Sequence, residues 1–226
     1  MLTRDEFLLS GIGVAAGAAI RPQVAAAATT TPRMTSAEAL LELRAGYRRY
    51  KTGRSTHMDY SEQRAETAAG QHPFAILLSC SDSRVPPETL FDQGIGSLFV
   101  IRLAGNVADS IGIGSIEYGV ATFACPLVVV LGHTNCGAVK AAVDALESNK
   151  TAPGEIEAIV QKITPAAMRA RHEAGDVYLN ATKANAIATA AQLRTTGPII
   201  SAAVHEKRLT VVAALYSVKS GSVTIL

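Results

Sequence analysis

Three short apolar segments constrain the fold of this 226-residue chain most strongly. They are rich in branched residues and too short for buried helices, which favours strands. The segments between and after them have helical patterns instead. Continuous apolar strands that alternate with helices are typical of a parallel sheet covered on both faces. The predicted strands are 74–79, 98–103 and 127–131, and the predicted helices around them are 86–91, 115–123 and 136–148.

The rest of the chain adds helices and a final pair of strands. Thr35 and Glu38 have the spacing of a capping box, which predicts a helix that starts there and continues to about Lys51. Residues 52–70 are polar and predict a loop with a short helix. Beyond Pro153 the pattern predicts helices at 155–173, at 176–194 and up to 205, and then strands at 209–216 and 222–226 joined by a glycine turn.

Composition bounds the kind of protein. Hydrophobic residues make up 48% and charged residues 18%, which fits one compact domain and excludes a disordered chain. The formal charge is only +2 and the Lys/Arg residues form no long run, so we expect no nucleic-acid partner.

Residues 1–34 differ from the remainder. An apolar stretch at 8–20 is too short to span a membrane and is followed by alanine-rich cleavage sites and a Thr/Pro linker. This layout predicts an export signal with a linker, and hence a periplasmic or secreted protein whose mature chain has no stable membrane span. Asp5 and Glu6 weaken the positive start that such signals need. The alternative is an uncleaved anchor or helix, and a cytoplasmic protein if the signal does not function.

Two polar segments directly follow predicted strands: 80–84 (CSDSR) and 133–137 (HTNCG). Cys80, His133 and Cys136 offer two thiolates and one imidazole, which is a ligand set that zinc prefers. Because the carboxyl ends of parallel strands share one edge of a sheet, we expect these side chains to converge. Three protein ligands leave an open position, as in catalytic zinc sites. Cys125 lies in an apolar run and is expected to be a buried core thiol.

These segments resemble the signatures of the β-class carbonic anhydrases. The resemblance runs from about Gln71 to Val139 and includes the sequence at 80–85 (CSDSRV), the sequence at 104–106 (AGN) and the spacing of His133 and Cys136. It implies a mostly parallel α/β sheet with an antiparallel edge strand. It also implies a catalytic domain at 35–226 that holds one Zn²⁺ per subunit.

By the same resemblance, the zinc ligands are Cys80, His133 and Cys136, and Asp82 with Arg84 forms a catalytic dyad. Zinc would supply hydroxide at neutral pH for the reversible hydration of CO2 to bicarbonate. Asp82 would orient the reacting hydroxyl, and Arg84 would hold Asp82 and keep it off the metal. An ordinary ion pair near a strand end is the alternative for these two residues.

Three further positions resemble those that line the substrate pocket in plant-type members. They are Gln71, Phe99 and Tyr118. Gln71 would donate a hydrogen bond to CO2 or bicarbonate, and Phe99 would keep the pocket apolar. A capping role for Gln71 and a core role for Phe99 remain open. The resemblance also implies a homodimer or higher homo-oligomer with the pocket near the subunit interface.

Two alternatives to CO2 hydration follow from the same residues. The fold could act on CS2 or COS, since hydroxide attacks those molecules in the same way. A zinc-holding but inactive protein used in assembly is the second alternative. It would be favoured by replacement of Asp82 or Arg84, and both residues are present.

Overall fold

The computed structural model describes residues 34–56 and 59–226. Its centre is a five-stranded sheet in which the first four strands are parallel and the last is antiparallel to its neighbour. This confirms the predicted α/β class with an antiparallel edge strand. The strands are β1 (Ala75–Ser79), β2 (Leu98–Arg102), β3 (Leu127–His133), β4 (Thr210–Tyr216) and β5 (Val223–Ile225), in the spatial order β2-β1-β3-β4-β5.

The helices follow the sequence pattern closely. The capping box at the first helix is present, with the Thr35 hydroxyl accepting from the Glu38 N–H and the Glu38 carboxylate accepting from the Thr35 N–H. The helices are α1 (Ser36–Lys51), α2 (Tyr60–Thr67), α3 (Pro87–Leu90), α4 (Ser110–Phe123), α5 (Gly137–Ser148), α6 (Ile156–Ala170), α7 (Val177–Thr195) and α8 (Pro198–His205).

Most boundaries differ from the sequence prediction by three residues or fewer, and two of the differences have a consequence for the fold or the site. Helix α4 begins at Ser110 rather than at 115, because the Asp109 carboxylate caps it by accepting from the Gly112 N–H at 2.7 Å. The glycines of this first turn hide the helix in the sequence pattern. Strand β3 continues past 131 through Gly132 to His133, so a predicted metal ligand is the last residue of a strand.

Alternate residues of the strands face two separate cores. On one face, Ile76, Leu78 and Val130 pack with α4, α7 and α8. On the other face, Leu77, Val129 and Leu131 pack with α1 and α3. β1 and β3 are buried at every position, as expected for central parallel strands covered on both sides.

A third cluster lies beyond the carboxyl ends of the strands. It joins Cys80 and Cys136 to apolar residues of α5 and α6, including Val139 and Ile163. The helices α5, α6 and α7 pack on one another there. This cluster forms the apolar floor under the predicted metal ligands.

Helix α1 packs on its own domain through a close backbone approach. A Cβ added at Gly46 would overlap the carbonyl group of Phe91 and lie 2.8 Å from Nε2 of Gln93. The backbone carbonyl cannot move as a flexible side chain can, so the glycine sets the distance between α1 and the segment after α3.

We therefore expect Gly46→Ala to destabilise the domain. Overpacking in a tight contact costs about 1–3 kcal/mol, although alanine alone would favour the helix. The free energy of unfolding in urea measures this. Gly70→Ala is the matched control, since a Cβ there meets no atom within 4 Å, and it should change stability by less than about 0.5 kcal/mol. Equal stability of the two variants would show that α1 does not pack as described.

The predicted export signal and linker at 1–34 lies outside the described residues except for Met34, and it stays a prediction. Within 34–56 and 59–226, we find no helix with both the length and the apolar character needed to cross a membrane.

Candidate metal centre

Cys80, His133 and Cys136 come together at the carboxyl ends of β1 and β3. Ser79 pairs with Leu131 in the parallel register of β1 and β3. Cys80 is the first residue after β1 and His133 is the last residue of β3, so the two lie at neighbouring strand ends. Cys136 immediately precedes α5. One ligand atom from each residue lies within 4.8 Å of the others, and the two sulfur atoms are 4.0 Å apart. All three residues are buried.

His133 presents one ring nitrogen to this cluster. Its Nδ1 lies 3.0 Å from the Thr134 carbonyl oxygen, which assigns the proton to Nδ1 and leaves Nε2 as an acceptor. The side chain is fully buried, and Nε2 has no hydrogen-bond partner among the described residues. A buried imidazole nitrogen without a partner is costly, and a metal ion at this position would satisfy it.

The surroundings of Cys80 favour a thiolate. Its sulfur accepts from the backbone N–H groups of Gly105 at 3.2 Å and Asp82 at 3.4 Å. A hydrogen bond from the Cys136 thiol further lowers the pKa of Cys80, and the same bond together with burial raises the pKa of Cys136. The two sulfurs thus share a proton that a metal ion would displace.

The donor set fits zinc. Two cysteine sulfurs and one imidazole nitrogen within 4.8 Å of one another are close enough to bind one ion together, and they are donors that zinc prefers. Nε2 of His133 is buried and has no hydrogen-bond partner in the part of the chain that the structure describes, and an ion bound by the three residues would provide one. Three protein ligands would leave the fourth position of a bound zinc ion open.

Asp82 and Arg84 form a paired group beside the cluster. The Arg84 guanidinium donates to both carboxylate oxygens, from Nε to Oδ1 at 2.9 Å and from Nη2 to Oδ2 at 2.7 Å. The same guanidinium donates to the Asn135 carbonyl oxygen at 3.2 Å, which ties it to the segment between His133 and Cys136. These bonds hold the pKa of Asp82 well below its usual range and raise that of Arg84.

The carboxylate therefore stays charged at the edge of the ligand cluster. Oδ2 of Asp82 lies 3.9 Å from Nε2 of His133. That separation exceeds a hydrogen bond and leaves the Asp82 carboxylate close to, but outside, the group of ligand atoms.

Arg102 is a residue of this site that the sequence patterns did not indicate. It ends β2, and its guanidinium donates to the backbone carbonyl oxygens of Cys80 at 3.1 Å and Asp82 at 2.6 Å. In return, the Ser81 hydroxyl donates to the Arg102 carbonyl oxygen at 3.1 Å. Arg102 thus fastens the segment that carries Cys80, the first predicted metal ligand, to the neighbouring strand. The sequence signal that could have indicated Arg102 is a charged residue within the apolar pattern of a predicted strand.

The three predicted pocket residues do not lie beside Cys80, His133 and Cys136 of the same chain. Phe99 pairs with Ile76 in the middle of the sheet, and Gln71 precedes β1, whereas Cys80 follows it. Tyr118 is 55% exposed on α4, with its ring 6.1 Å from that of Phe99. One chain therefore brings Phe99 and Tyr118 together with Phe123, but it does not bring them to its own metal ligands.

Thiol reactivity should distinguish the three cysteines once metal is removed. Burial raises the pKa of Cys125 to about 12, so its thiol stays protonated at pH values where the thiolate of Cys80 is populated. Because the thiolate is the nucleophile, we expect iodoacetamide to modify Cys80 before Cys125 in chelator-treated, folded protein. Peptide mass spectrometry measures the order, and faster labelling of Cys125 would contradict the assignment. Zinc added before alkylation should protect Cys80 and leave Cys125 unchanged.

The fold and the site together define a class of protein. It is an α/β protein with a mostly parallel sheet, a buried Cys-His-Cys group at the strand ends, and beside that group a carboxylate bound by an arginine. Comparison with known proteins gives the family. The family model described as "Carbonic anhydrase" matches residues 75–223.

Curated relatives and solved structures agree with this match. The chain is 36% identical to the carbonic anhydrase of Mycolicibacterium smegmatis over 196 residues, covering 86% of this chain and 95% of that protein. It is 42% identical to carbonic anhydrase 2 of Mycobacterium tuberculosis over 143 residues, covering 63% and 69%. The structure of the β-carbonic anhydrase CcaA superposes with a TM-score of 0.63 at 25% identity, covering 82% and 94%. The chain belongs to the β-class carbonic anhydrase family.

Proposed function

We propose that this chain catalyses the reversible hydration of CO2 to bicarbonate and a proton, with one Zn²⁺ per subunit held by Cys80, His133 and Cys136. The observation that carries the proposal is the convergence of these three ligand atoms within 4.8 Å, beside a charged carboxylate that is not one of them. When bound, zinc would lower the pKa of water from 15.7 to about 7 and supply hydroxide at neutral pH.

Asp82 would orient the reacting hydroxyl, since its carboxylate lies 3.9 Å from Nε2 of His133 at the edge of the ligand cluster. Its carboxylate accepts only, so it can take a hydrogen bond from a hydroxyl at the open position and turn the oxygen lone pair toward CO2. Arg84 already occupies both carboxylate oxygens with parallel bonds. These two bonds fix the plane of the carboxylate and would oppose its movement onto a bound metal ion.

A stopped-flow assay of CO2 hydration on the zinc-loaded protein tests the proposal. We expect a rate well above that of buffer. Treatment with a chelator should reduce the rate to that of buffer. A rate no faster than buffer at both neutral and alkaline pH would overturn the enzymatic function and leave a zinc-holding assembly protein. Parallel assays with CS2 and COS show whether another such substrate is hydrolysed faster than CO2.

We also propose that the chain works as a homo-oligomer in which the β2 edge and α4 face a second copy. β2 is the outer strand of the sheet, so one row of its backbone groups is unpaired among the described residues. Exposed edges of this kind are normally covered. Beside it, α4 exposes Ile111 at 76% and Tyr118 at 55%. Since Phe99 and Tyr118 lie at this edge, a second copy would place them near the partner subunit's metal centre.

Sedimentation velocity tests this arrangement. Ile111→Asp places a charge on the exposed face of α4 and should dissociate the oligomer, with loss of CO2 hydration. Ile187→Asp is the control, because Ile187 is 48% exposed on α7. It should leave the sedimentation coefficient unchanged. An Ile111→Asp variant that stays oligomeric and active would place the interface elsewhere.

A further inference from the structure

Asn185 is a buried polar residue that the proposed reaction does not use. It lies on α7, is 3% exposed, and shares the buried side of the helix with alanines such as Ala181 and Ala186. An amide placed among apolar side chains costs free energy unless it is hydrogen-bonded. Packing alone would be served by a third alanine, so the bond that Asn185 makes is the informative feature.

That bond reaches the segment between the two metal-ligand motifs. Nδ2 of Asn185 donates to the Gly105 carbonyl oxygen at 2.8 Å, across 80 positions of the sequence. Gly105 has a φ of +68° inside a single helical turn at Ala104–Asn106. A Cβ there would lie 2.6 Å from Cδ1 of Ile163. Gly105 is thus confined by Ile163 on one side and anchored through its carbonyl by Asn185.

The N–H of the same glycine points at a metal ligand. It donates to Sγ of Cys80 at 3.2 Å, and the Cys80 sulfur is buried with it. A hydrogen bond to a thiolate stabilises its negative charge and withdraws electron density from the sulfur. Such bonds from groups behind the ligands orient them and adjust their donation to the metal.

We propose that Asn185 is a positioning residue for the metal centre: by holding the Gly105 carbonyl, it aims the Gly105 N–H at the Cys80 sulfur and so sets the donor strength of that thiolate. The inference rests on the zinc site of the proposed function. It does not depend on which substrate the zinc-bound protein uses, because Asn185 acts through Gly105 on Cys80.

The experiment replaces the amide by an apolar group of similar size. Asn185→Leu removes the donor, and the sulfur-to-metal charge-transfer band of the cobalt-substituted protein should move to longer wavelength as the sulfur becomes more electron-rich. Zinc affinity, measured by competition with a chelator, should nevertheless fall by about 10- to 100-fold, because Gly105 and the Cys80 sulfur are no longer held in the orientation that binds the metal. Thr182→Val is the matched control. Thr182 is also buried on α7, and its hydroxyl donates within the helix, to the Tyr178 carbonyl oxygen.

The proposal would be overturned if Asn185→Leu had the same charge-transfer band and the same zinc affinity as Thr182→Val. If Asn185→Leu does not fold, Asn185→Ala and Asn185→Ser are measured in the same way, since neither can span the distance to Gly105 as asparagine does. The natural protein gives a further check by NMR, in which the Gly105 amide proton of the zinc form should exchange slowly. Rapid exchange would contradict the N–H···S bond.

These results separate this inference from the proposed function. A natural protein that binds cobalt but does not hydrate CO2 would refute the carbonic anhydrase activity, while the band shift of the Asn185 variants would still support the positioning role. An active natural protein with no band shift in those variants would refute the positioning role and support the carbonic anhydrase activity. A natural protein that binds neither metal would overturn both.

Discussion

Cys136→Ser is expected to release zinc and abolish CO2 hydration together. Serine keeps the shape of the side chain but offers a hydroxyl that does not ionise at neutral pH, in place of a thiolate. Loss of a group behind the ligands already costs about 10- to 100-fold in metal affinity, so loss of a ligand itself should exceed that. The sulfur also partners Cys80 at 4.0 Å, so the second thiol loses its neighbour as well.

Cys125→Ser provides the matched control for this change. Cys125 is as deeply buried as Cys136 and donates its thiol proton to the Pro73 carbonyl oxygen at 3.2 Å, a bond that serine can keep. We expect this variant to retain zinc and activity. Metal content by atomic emission and the stopped-flow rate measure both variants. Full zinc retention by Cys136→Ser, or zinc loss by Cys125→Ser, would contradict the ligand assignment.

Thermal unfolding gives a third measurement on the same pair. A metal that binds only the folded state stabilises it, by about 2.7 kcal/mol when its free concentration is 100 times Kd. Added zinc should therefore raise the Tm of the natural protein and of Cys125→Ser. It should leave the Tm of Cys136→Ser unchanged. This readout does not require activity, so it tests the metal site even if the substrate is not CO2.

The sequence predicted the sheet and the meeting of the ligands for the same physical reason. Apolar runs in the middle of the chain can only be buried on both faces, which makes them parallel central strands. The strand ends then bring Cys80 and His133 to one edge, although 53 positions separate them. The convergence follows from topology and needs no knowledge of side-chain packing.

Contacts between distant segments could not be predicted in this way. Asn185 reaches Gly105 only because α7 packs on one face of the sheet, with Ala186 against Gly132 near the end of β3. No local pattern marks one buried amide in a helix as different from another. Arg102 could be noticed as a charge in an apolar strand, but its two backbone acceptors follow from the path of the segment at 80–82. Local periodicity describes which face is buried, and it does not describe which buried groups meet.

The predicted pocket residues depend on contacts between subunits, which the fold of one chain does not contain. Phe99 and Tyr118 were predicted to line the substrate pocket, and the structure places them side by side at the β2 edge, away from the metal ligands of the same chain. Their assignment to a pocket therefore stays a prediction that depends on a second copy. A single chain contains both the candidate metal site and the aromatic pair, and contact between the two would require a second subunit.

Asp82→Asn is expected to keep zinc and lose most of the activity. The amide has nearly the same shape as the carboxylate, and Asp82 is not one of the three ligands whose atoms lie within 4.8 Å. Asparagine carries no charge, so the two bonds from Arg84 lose their ionic component and the side chain can turn its amide N–H groups toward the open position. A group that would orient the reacting hydroxyl by accepting its hydrogen bond is then replaced by one that can donate a hydrogen bond instead.

The expected loss is about 10- to 100-fold in kcat, with zinc content unchanged. The pH profile of the natural protein adds a second test. Because Arg84 holds the pKa of Asp82 well below its usual range, Asp82 stays charged from mildly acidic pH upward. Any loss of activity between neutral pH and about pH 5 must then come from another group. That part of the profile should therefore keep its shape in the Asp82→Asn variant, at a lower rate.

Asp144→Asn is the matched control for the substitution. Asp144 is also an aspartate bound by a cation, with Lys140 Nζ at 2.5 Å, but it lies on the exposed side of α5. This variant should keep both zinc and rate. Full activity of Asp82→Asn would show that the carboxylate is an ordinary ion pair at a strand end. Loss of zinc by Asp82→Asn would assign it to holding the metal site together, because a residue that only orients the hydroxyl has no part in retaining the ion.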